Sequence, residues 1–212
     1  MDFKEIENAI KEWSDIRTSP GTVVNYLKQG SCFKIEKAQY ELWKKNPPKD
    51  FYVYMGIFKG TLKFILTNKV LDKNSAAHKD LIFVQDYLPG LKMKEEGFIN
   101  KAIDGGITVL DALKKAMRWN VFMKSWVYFK VNTTYGIFEA FKVPFSDLVS
   151  QFDNAGCEQS LVQFGLGENI EAELVLWGLD TDIELQATLV MKSEAIAPPV
   201  EDLATPCPPF GQ

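Results

Sequence analysis

The chain has 212 residues, of which 46% are hydrophobic and 25% are charged, and these are ordinary values for a globular protein with a sizeable core. Its net charge of −4 and its two arginines, Arg17 and Arg118, argue against nucleic acid as the main partner, because arginine is the side chain that grips phosphates and base edges. No stretch approaches the roughly 20 apolar residues of a membrane helix, so we expect no membrane span.

The cysteine pattern indicates a reducing compartment. Cys32, Cys157 and Cys207 are far apart and odd in number, which fits neither a disulfide framework nor a CxxC metal site. The N-terminus carries acidic residues where a signal peptide would have a basic start and an apolar run. We therefore expect a cytoplasmic protein with no metal and no other cofactor.

The first 46 residues predict three helices that together form an N-terminal cap. The first helix starts with a capping-box pair, Asp2 and Glu5. The second has Ser19 as its N-cap, Pro20 at its first position and Gly30 just past its end. The third, over Ile35 to Lys45, stops before the prolines at 47 and 48.

Residues 51–68 predict a β-hairpin with a tight turn at Lys59-Gly60, and the rest of the chain is organised around it. Side chains alternate across a strand, so Phe51 and Val53 share one face while Tyr52 and Tyr54 share the other. Both faces are apolar or aromatic. Such a hairpin has to be covered on two sides, and we expect helices and further strands to pack around it.

The second half of the chain mixes helices and strands. Residues 80–88 predict a strand, residues 98–104 a short helix, and a longer helix follows with Thr108 as its N-cap. That helix is expected to bury Leu110, Leu113, Met117 and Val121 and to expose Lys114, Lys115 and Arg118. The elements predicted after it are a second hairpin over 126–143, a short helix from Pro144, and a meander of strands over 161–166, 170–179 and 182–191.

These elements predict a single α+β domain over residues 1–192. We expect a mainly antiparallel sheet of about eight strands over 51–191, strongly curved or open, covered by the helical cap over 1–46 and one longer inserted helix. Five of the ten prolines fall in residues 193–212, where the apolar pattern disappears, and this segment is expected to be an extended or irregular tail.

Two residues are candidates for catalysis. His78 is the only histidine and lies in a polar loop with Asp72 and Asp80 nearby, so it offers a general base, although a histidine in such a loop is usually solvated. Cys157 follows Asp153 and precedes Glu158, and these acids would raise rather than lower the pKa of its thiol. A single histidine excludes a zinc site with two histidine ligands from this chain.

Aromatic residues make up 13% of the chain and concentrate on the predicted strands. Core packing is the plain interpretation, since aromatic side chains suit pleated surfaces. The alternative is a cavity or surface that binds a partner through rings with polar tips. The residues that we assign to such a site are Tyr52, Tyr54, Phe58, Tyr128 and Tyr135.

The sequence therefore favours a non-catalytic binding protein that engages a protein partner or an apolar small molecule, with homodimerisation left open. The motivation is the lack of a nucleophile elbow or a phosphate-binding glycine loop together with the abundance of aromatic strand faces. The alternative hypothesis is a hydrolase that uses His78 with Cys157 or a nearby carboxylate.

Overall fold

The computed structural model describes residues 1–71, 79–89, 107–133 and 136–179, and the backbone of residues 200–201 and 205–207. This part of the chain contains five α-helices, one π-helical turn and nine strands. In chain order they are α1 (Phe3–Ile16), α2 (Pro20–Leu27), β1 (Cys32–Glu36), α3 (Lys37–Lys44), β2 (Asp50–Phe58), β3 (Thr61–Thr67), β4 (Ile82–Asp86), α4 (Val109–Thr133), β5 (Ala140–Pro144), α5 (Phe145–Val149), the π-helical turn (Ser150–Asn154), β6 (Gln159–Leu166), β7 (Ala172–Leu179), β8 (Val200–Glu201) and β9 (Thr205–Cys207).

The strands form two antiparallel sheets, which confirms the predicted α+β class. One sheet has the order β1-β6-β7-β8 and the other has the order β4-β3-β2-β5-β9. A bridge between Cys32 and Leu88 joins the start of β1 to the segment after β4. The predicted tail contributes β8 and β9, which pair with β7 and β5.

The hairpin over 51–68 is confirmed, and both of its faces are covered. Lys59 and Gly60 have φ values of 51° and 74°, the left-handed pair that a two-residue turn between twisted strands requires. Val53 is buried in the core between the two sheets, whereas Tyr54 packs in a separate cluster with Ile6 of α1.

Gly56 sets how closely α1 lies on this sheet. A Cβ atom at this position would be 2.5 Å from Cδ1 of Ile65 and 3.2 Å from the Cβ of Ala9. A glycine in the middle of a strand therefore has a packing reason here, since only a missing side chain leaves room for the helix.

Aromatic rings fill the space between the sheets, and Phe164 of β6 lies at their centre. Its ring centroid is 4.9 Å from Trp119, 5.5 Å from Phe138, 5.8 Å from Phe64, 5.9 Å from Phe141 and 6.2 Å from Tyr87. These rings come from both sheets, from α4 and from two loops, so one cluster holds the sheets and α4 together.

A half-buried ion pair fastens the end of α1 to the segment before β5. Arg17 Nε lies 3.0 Å from Glu139 Oε1, and Arg17 Nη1 donates a hydrogen bond of 2.8 Å to the carbonyl oxygen of Ile137. Trp13 Nε1 donates to the carbonyl oxygen of Phe138 at 3.0 Å. Three polar groups of the segment are thus satisfied by α1, as buried polar groups require.

The predicted third helix starts too early. Residues 32–36 form β1, with Cys32, Phe33 and Ile35 buried, and the helix begins only at Lys37. The second helix ends at Leu27, three residues before the predicted stop at Gly30, and the next helix starts after its N-cap Glu36, whose backbone N–H donates a hydrogen bond to Gln39 Oε1. The conformation of residues 32–36 is set by their long-range pairing with β6 and not by local helical spacing.

The predicted second hairpin over 126–143 is wrong, because residues 126–133 continue α4 and only residues 140–144 form a strand. The apolar run of these residues has high β-propensity, yet Trp126 and Val127 are buried while Tyr128 and Phe129 are exposed. In a strand, buried and exposed side chains would alternate residue by residue. Packing of α4 against the sheet outweighs the local preference.

Three of the four α4 residues that were expected to be buried, Leu110, Met117 and Val121, are exposed, whereas Leu113 is partly buried against a core cluster. The buried residues of this helix are Ala112, Trp119, Met123, Trp126 and Val127. Thr108 is the N-cap as predicted, since its Oγ1 accepts a hydrogen bond of 3.1 Å from the backbone N–H of Asp111. The start of the helix was therefore predicted correctly and its orientation was not.

Other predicted features are confirmed or lie outside the described residues. The capping box of α1, the proline start of α2, the strand over 80–88, the helix after Pro144 and the first two strands of the meander are present. The predicted helix over 98–104 and the strand over 182–191 lie outside the described part of the chain.

Candidate functional site

The outer face of α4 carries an apolar stripe that no described residue covers. At 100° per residue, Leu110, Met117, Val121 and Tyr128 lie within about 20° of one line along the helix, over a length of about 27 Å. Their exposed fractions are 61%, 50%, 68% and 42%. Phe122 and Phe129, 52% and 58% exposed, lie about 100–120° round the helix from this line. We call these six residues the outer apolar face.

Six large apolar side chains that are about half exposed present on the order of 600 Å² of apolar surface. The four residues on the line supply about two-thirds of this surface, on the order of 400 Å², and an apolar patch of that size is a candidate interaction site. A helix that is apolar on two opposite sides is one that packs on two partners. One side of α4 packs on its own sheet, and the outer apolar face is the other side.

The charges next to the outer apolar face are unevenly distributed. Lys114 and Lys124 lie within about 40° of its central line, and no acidic residue does. Farther round the helix, three basic residues are paired with carboxylates of the β6–β7 turn and β7: Lys115 with Glu173, Arg118 with Glu168 and Lys130 with Glu171. Lys114 is itself paired with Asp111 at 3.1 Å, so Lys124 is the lysine beside the stripe that has no carboxylate partner in the described part of the chain.

On the opposite side of α4, a cleft opens between α2, the start of β1 and β6. Its volume is about 270 Å³, and its lining combines aromatic rings with polar side chains, among them Tyr87, Trp119, Gln163 and Phe164. It arises because β1 pairs with β6 only as far as Gln163, so the last three residues of β6 face α4 instead of a strand.

The aromatic residues that we assigned to a binding site do not form one site, although the rings of Tyr52 and Tyr54 are neighbours with a centroid distance of 6.5 Å. Tyr54 is buried under α1, where its hydroxyl accepts a hydrogen bond from the backbone N–H of Leu71, and Tyr52 and Phe58 are half-buried on β2. Tyr128 lies on α4, not on a strand, and belongs to the outer apolar face. Tyr135 lies outside the described residues.

The proposed catalytic pair stays a prediction. Cys157 is fully buried, and its backbone N–H donates a hydrogen bond of 3.0 Å to the carbonyl oxygen of Gln151. Buried cysteines are generally inert, and a nucleophile needs contact with solvent or substrate. His78 lies outside the described residues. Cys32 is also buried, and burial raises the pKa of its thiol to about 11, so it is protonated at neutral pH.

A buried carboxylate lies in the helical segment before Cys157. Asp147 is 3% exposed, and its Oδ2 has no hydrogen-bond partner among the described residues. Burial raises the pKa of this carboxyl to about 6, with the charge of Asp50 adding to the shift and a hydrogen bond from Ser146 opposing it. Gln151, one turn later, is fully buried, and its side-chain amide also lacks a partner there.

Replacing Asp147 with asparagine should stabilise the protein at neutral pH. Because the folded-state pKa is raised, the folded protein binds the proton more tightly, so the stability present near pH 4 is lost as the pH rises to about 6. Asp147→Asn removes this loss, and we expect a gain on the order of 2 kcal/mol at pH 7 and none near pH 4. Urea unfolding at both pH values measures the difference, and an equal effect at both would contradict it.

The sequence contained a signal for the outer apolar face that periodicity alone could not use. Residues 109–129 hold two apolar sets at helical spacing, one with Leu110, Met117 and Val121 and one with Trp119 and Met123. The larger aromatic set is the buried one. A helix with two such sets predicts a second partner, whichever face lies inward.

The fold and these surfaces define an α+β protein of two antiparallel sheets, with an apolar helix face and a partly aromatic cleft as its candidate binding sites. Comparison with protein families, curated proteins and solved structures finds no match to this chain. Among the described helices, none combines the length and apolar character needed to cross a membrane. The described residues include no group of three or more side chains that could hold a metal ion.

Proposed function

We propose that this chain is a non-catalytic binding protein whose outer apolar face docks an acidic amphipathic helix of a partner protein. The observation that carries the proposal is the exposure of Leu110, Met117, Val121 and Tyr128 along one line of α4. Helices recognise such a stripe through apolar anchors three, four and seven residues apart. The four residues of the line present on the order of 400 Å² of apolar surface, about half of the roughly 800 Å² that each partner contributes to a standard interface.

The lysines of the face favour a partner that brings carboxylates. Both lysines flank the apolar line; Lys114 already pairs with Asp111, so Lys124 is the cation that a partner helix with acidic residues beside its own apolar stripe would meet. A second copy of this chain fits less well. If two copies of α4 pair antiparallel with Met117 opposite Val121, then Lys114 lies opposite Lys124. If they pair parallel and in register, each lysine lies opposite the same lysine of the other copy. Like charges at the same level disfavour either arrangement.

An anionic membrane surface also fits less well than an acidic helix. Glu168 and Glu171 lie at the rim of the same helix, in ion pairs with Arg118 and Lys130, and the Glu168 side chain is 86% exposed. These carboxylates would face the lipid headgroups and repel them. The net charge of −4 opposes such binding further.

A designed peptide tests the proposal without knowledge of the natural partner. The probe is a fluorescent three-heptad helix with leucine at positions a and d and glutamate at e and g, and its counterpart carries lysine at e and g. We expect the acidic peptide to bind, with affinity that falls as salt is added, and the lysine peptide to bind at least about tenfold more weakly. Fluorescence anisotropy measures both affinities.

Substitutions locate the binding to α4. The double variant Met117→Ser with Val121→Ser is expected to weaken acidic-peptide binding at least about tenfold, because it removes two central anchors. Both positions are exposed, so the fold should be unaffected. The matched control is Leu42→Ser, which removes an exposed leucine on α3 and should leave binding unchanged.

Three results would overturn the assignment of the partner. Equal binding of the two peptides would remove the electrostatic argument. Sedimentation showing a dimer that the Met117→Ser and Val121→Ser variant dissociates would identify a second copy as the occupant. Co-sedimentation with phosphatidylserine vesicles, without binding of the acidic peptide, would identify a membrane surface.

A further inference from the structure

The cleft on the inner side of α4 has a floor of aromatic rings held in fixed positions. Trp119 and Phe164 are stacked with a centroid distance of 4.9 Å and an interplanar angle of 26°, and Tyr87 meets Phe164 edge-on. All three rings are at least nine-tenths buried. A planar apolar group entering the cleft would therefore meet rings rather than aliphatic side chains.

The walls of the cleft are preformed. The hydroxyl of Tyr87 donates a hydrogen bond of 3.2 Å to the carbonyl oxygen of Leu27, and the backbone N–H of Ser31 donates one of 2.8 Å to the carbonyl oxygen of Leu88. At Gly30, a Cβ atom would lie 2.7 Å from Tyr87 Cγ and from the same carbonyl oxygen. The segment that links α2 to β1 is thus tightly packed, which lowers the entropy lost on binding.

The polar side chains of the cleft include one lysine, which only donates, and two amides, each of which can donate or accept a hydrogen bond. Lys28 is the one charged side chain among the described residues that line it, and it forms no ion pair in the described part of the chain. The side-chain amides of Asn120 and Gln163 also line it, and neither makes a hydrogen bond to another described residue. An ammonium group and two amides around an aromatic floor suit a ligand with a ring and an anionic end.

We propose that this cleft binds a small aromatic carboxylate. The ring lies against Trp119 and Phe164, and the carboxylate accepts hydrogen bonds from Lys28 and from the amide of Gln163. The volume of about 270 Å³ is sufficient for a molecule with one or two fused rings. The site is on the opposite side of α4 from the outer apolar face, so the two proposals stand on separate observations.

An NMR titration of the ¹⁵N-labelled full chain tests the site with naphthalene-2-carboxylate as the probe. The matched control probe is naphthalen-2-ylmethylammonium, which has the same rings and the opposite charge. We expect saturable shifts of the Trp119 indole N–H, identified through Trp119→Phe, and of the backbone at Ser31 and Gln163. The carboxylate should bind at least about tenfold more tightly than the ammonium probe.

Two variants locate the binding. Lys28→Gln removes the charge at an exposed position and should weaken carboxylate binding about tenfold. Ala116→Leu fills the cleft and should abolish binding. Lys45→Gln, an exposed lysine on the far side of α3, is the matched control and should bind as the parent does. Because Lys28 is exposed, its variant keeps the test valid even where Ala116→Leu perturbs the fold.

Several outcomes would overturn the proposal. The proposal that the cleft binds an aromatic carboxylate would be contradicted by any of three results. These are no saturable shift at millimolar probe, equal binding of the two probes, and unchanged carboxylate binding by Lys28→Gln. Shifts centred on Met117 and Val121 would place the probe on the outer apolar face instead, and would leave the cleft without a ligand.

Discussion

Replacing Phe164 with alanine is expected to lower the free energy of unfolding by about 3–5 kcal/mol, the range for a large aromatic side chain removed from a packed core. The reason is the position of this ring, which is 3% exposed and has five aromatic neighbours between the sheets. Alanine would leave a cavity that the rigid sheets cannot close. Urea or guanidinium unfolding followed by tryptophan fluorescence measures the loss.

Phe58→Ala is the matched control, because it makes the same chemical change at a half-buried position on β2. Its nearest charged neighbour, Lys59 Nζ, lies 5.1 Å from the ring centroid, a contact worth about 0.5–1 kcal/mol at an exposed site. We expect a loss of about 1 kcal/mol there. Equal losses for the two variants would show that the ring cluster does not hold the sheets together.

Replacing Arg17 with methionine is expected to cost about 3–5 kcal/mol, because it leaves the carboxylate of Glu139 buried without its cation. The Arg17 and Glu139 side chains are only 11% and 13% exposed, so water cannot replace the missing partner. The double variant Arg17→Met with Glu139→Leu should recover most of the loss, since a buried ion pair and an apolar pair of similar volume are nearly equivalent. Unfolding free energies of the two single variants and the double variant give the coupling.

Lys11 and Asp15 supply the comparison on the same helix. This pair is 2.5 Å apart with side chains 71% and 60% exposed. Exposed pairs of this kind contribute about 0.2–1 kcal/mol, so Lys11→Met should change stability by less than about 1 kcal/mol. A small effect of Arg17→Met, similar to that of Lys11→Met, would mean that the segment over 137–139 is held by its backbone contacts alone.

Signals that act within a few residues predicted their elements well. The capping box at Asp2, the proline at Pro20, the Lys59-Gly60 turn and the N-cap at Thr108 all specify local backbone geometry, and each is present in the structure. The α+β class followed from counting such elements. These features depend on neighbouring residues in the sequence and not on tertiary packing.

The features that the sequence did not predict depend on distant partners. Ile35 was predicted as the start of a helix but lies in a strand over 32–36, because β6, more than 120 residues later, pairs with this segment. Residues 126–133 have high β-propensity and remain helical because Trp126 packs on Phe138 and because its indole N–H donates to the carbonyl oxygen of Ile170. In both cases tertiary contacts outweigh a local preference of a few tenths of a kcal/mol per residue.

The candidate sites show the same division. The sequence indicated that aromatic residues would dominate the core or a binding site, but not which of them would face solvent. Leu110 and Trp119 both fit a helical stripe, and only the shape of the sheet decides which is buried. The cleft arises because β1 starts only at Cys32, opposite Gln163, and it could not be predicted while no strand was expected there.

The pairing of β1 with β6 has a consequence for the order in which the chain folds. The β2–β3 and β6–β7 pairs close over short turns, whereas Cys32 and Gln163 must meet across most of the chain length. The entropy of closing a loop rises with its length, and contacts of high sequence separation form slowly. We therefore expect the two local hairpins to form first and β1 to dock late. Until β1 docks, one edge of β6 is open to pairing with other chains. We therefore expect the protein to aggregate before β1 docks when it is refolded at high concentration.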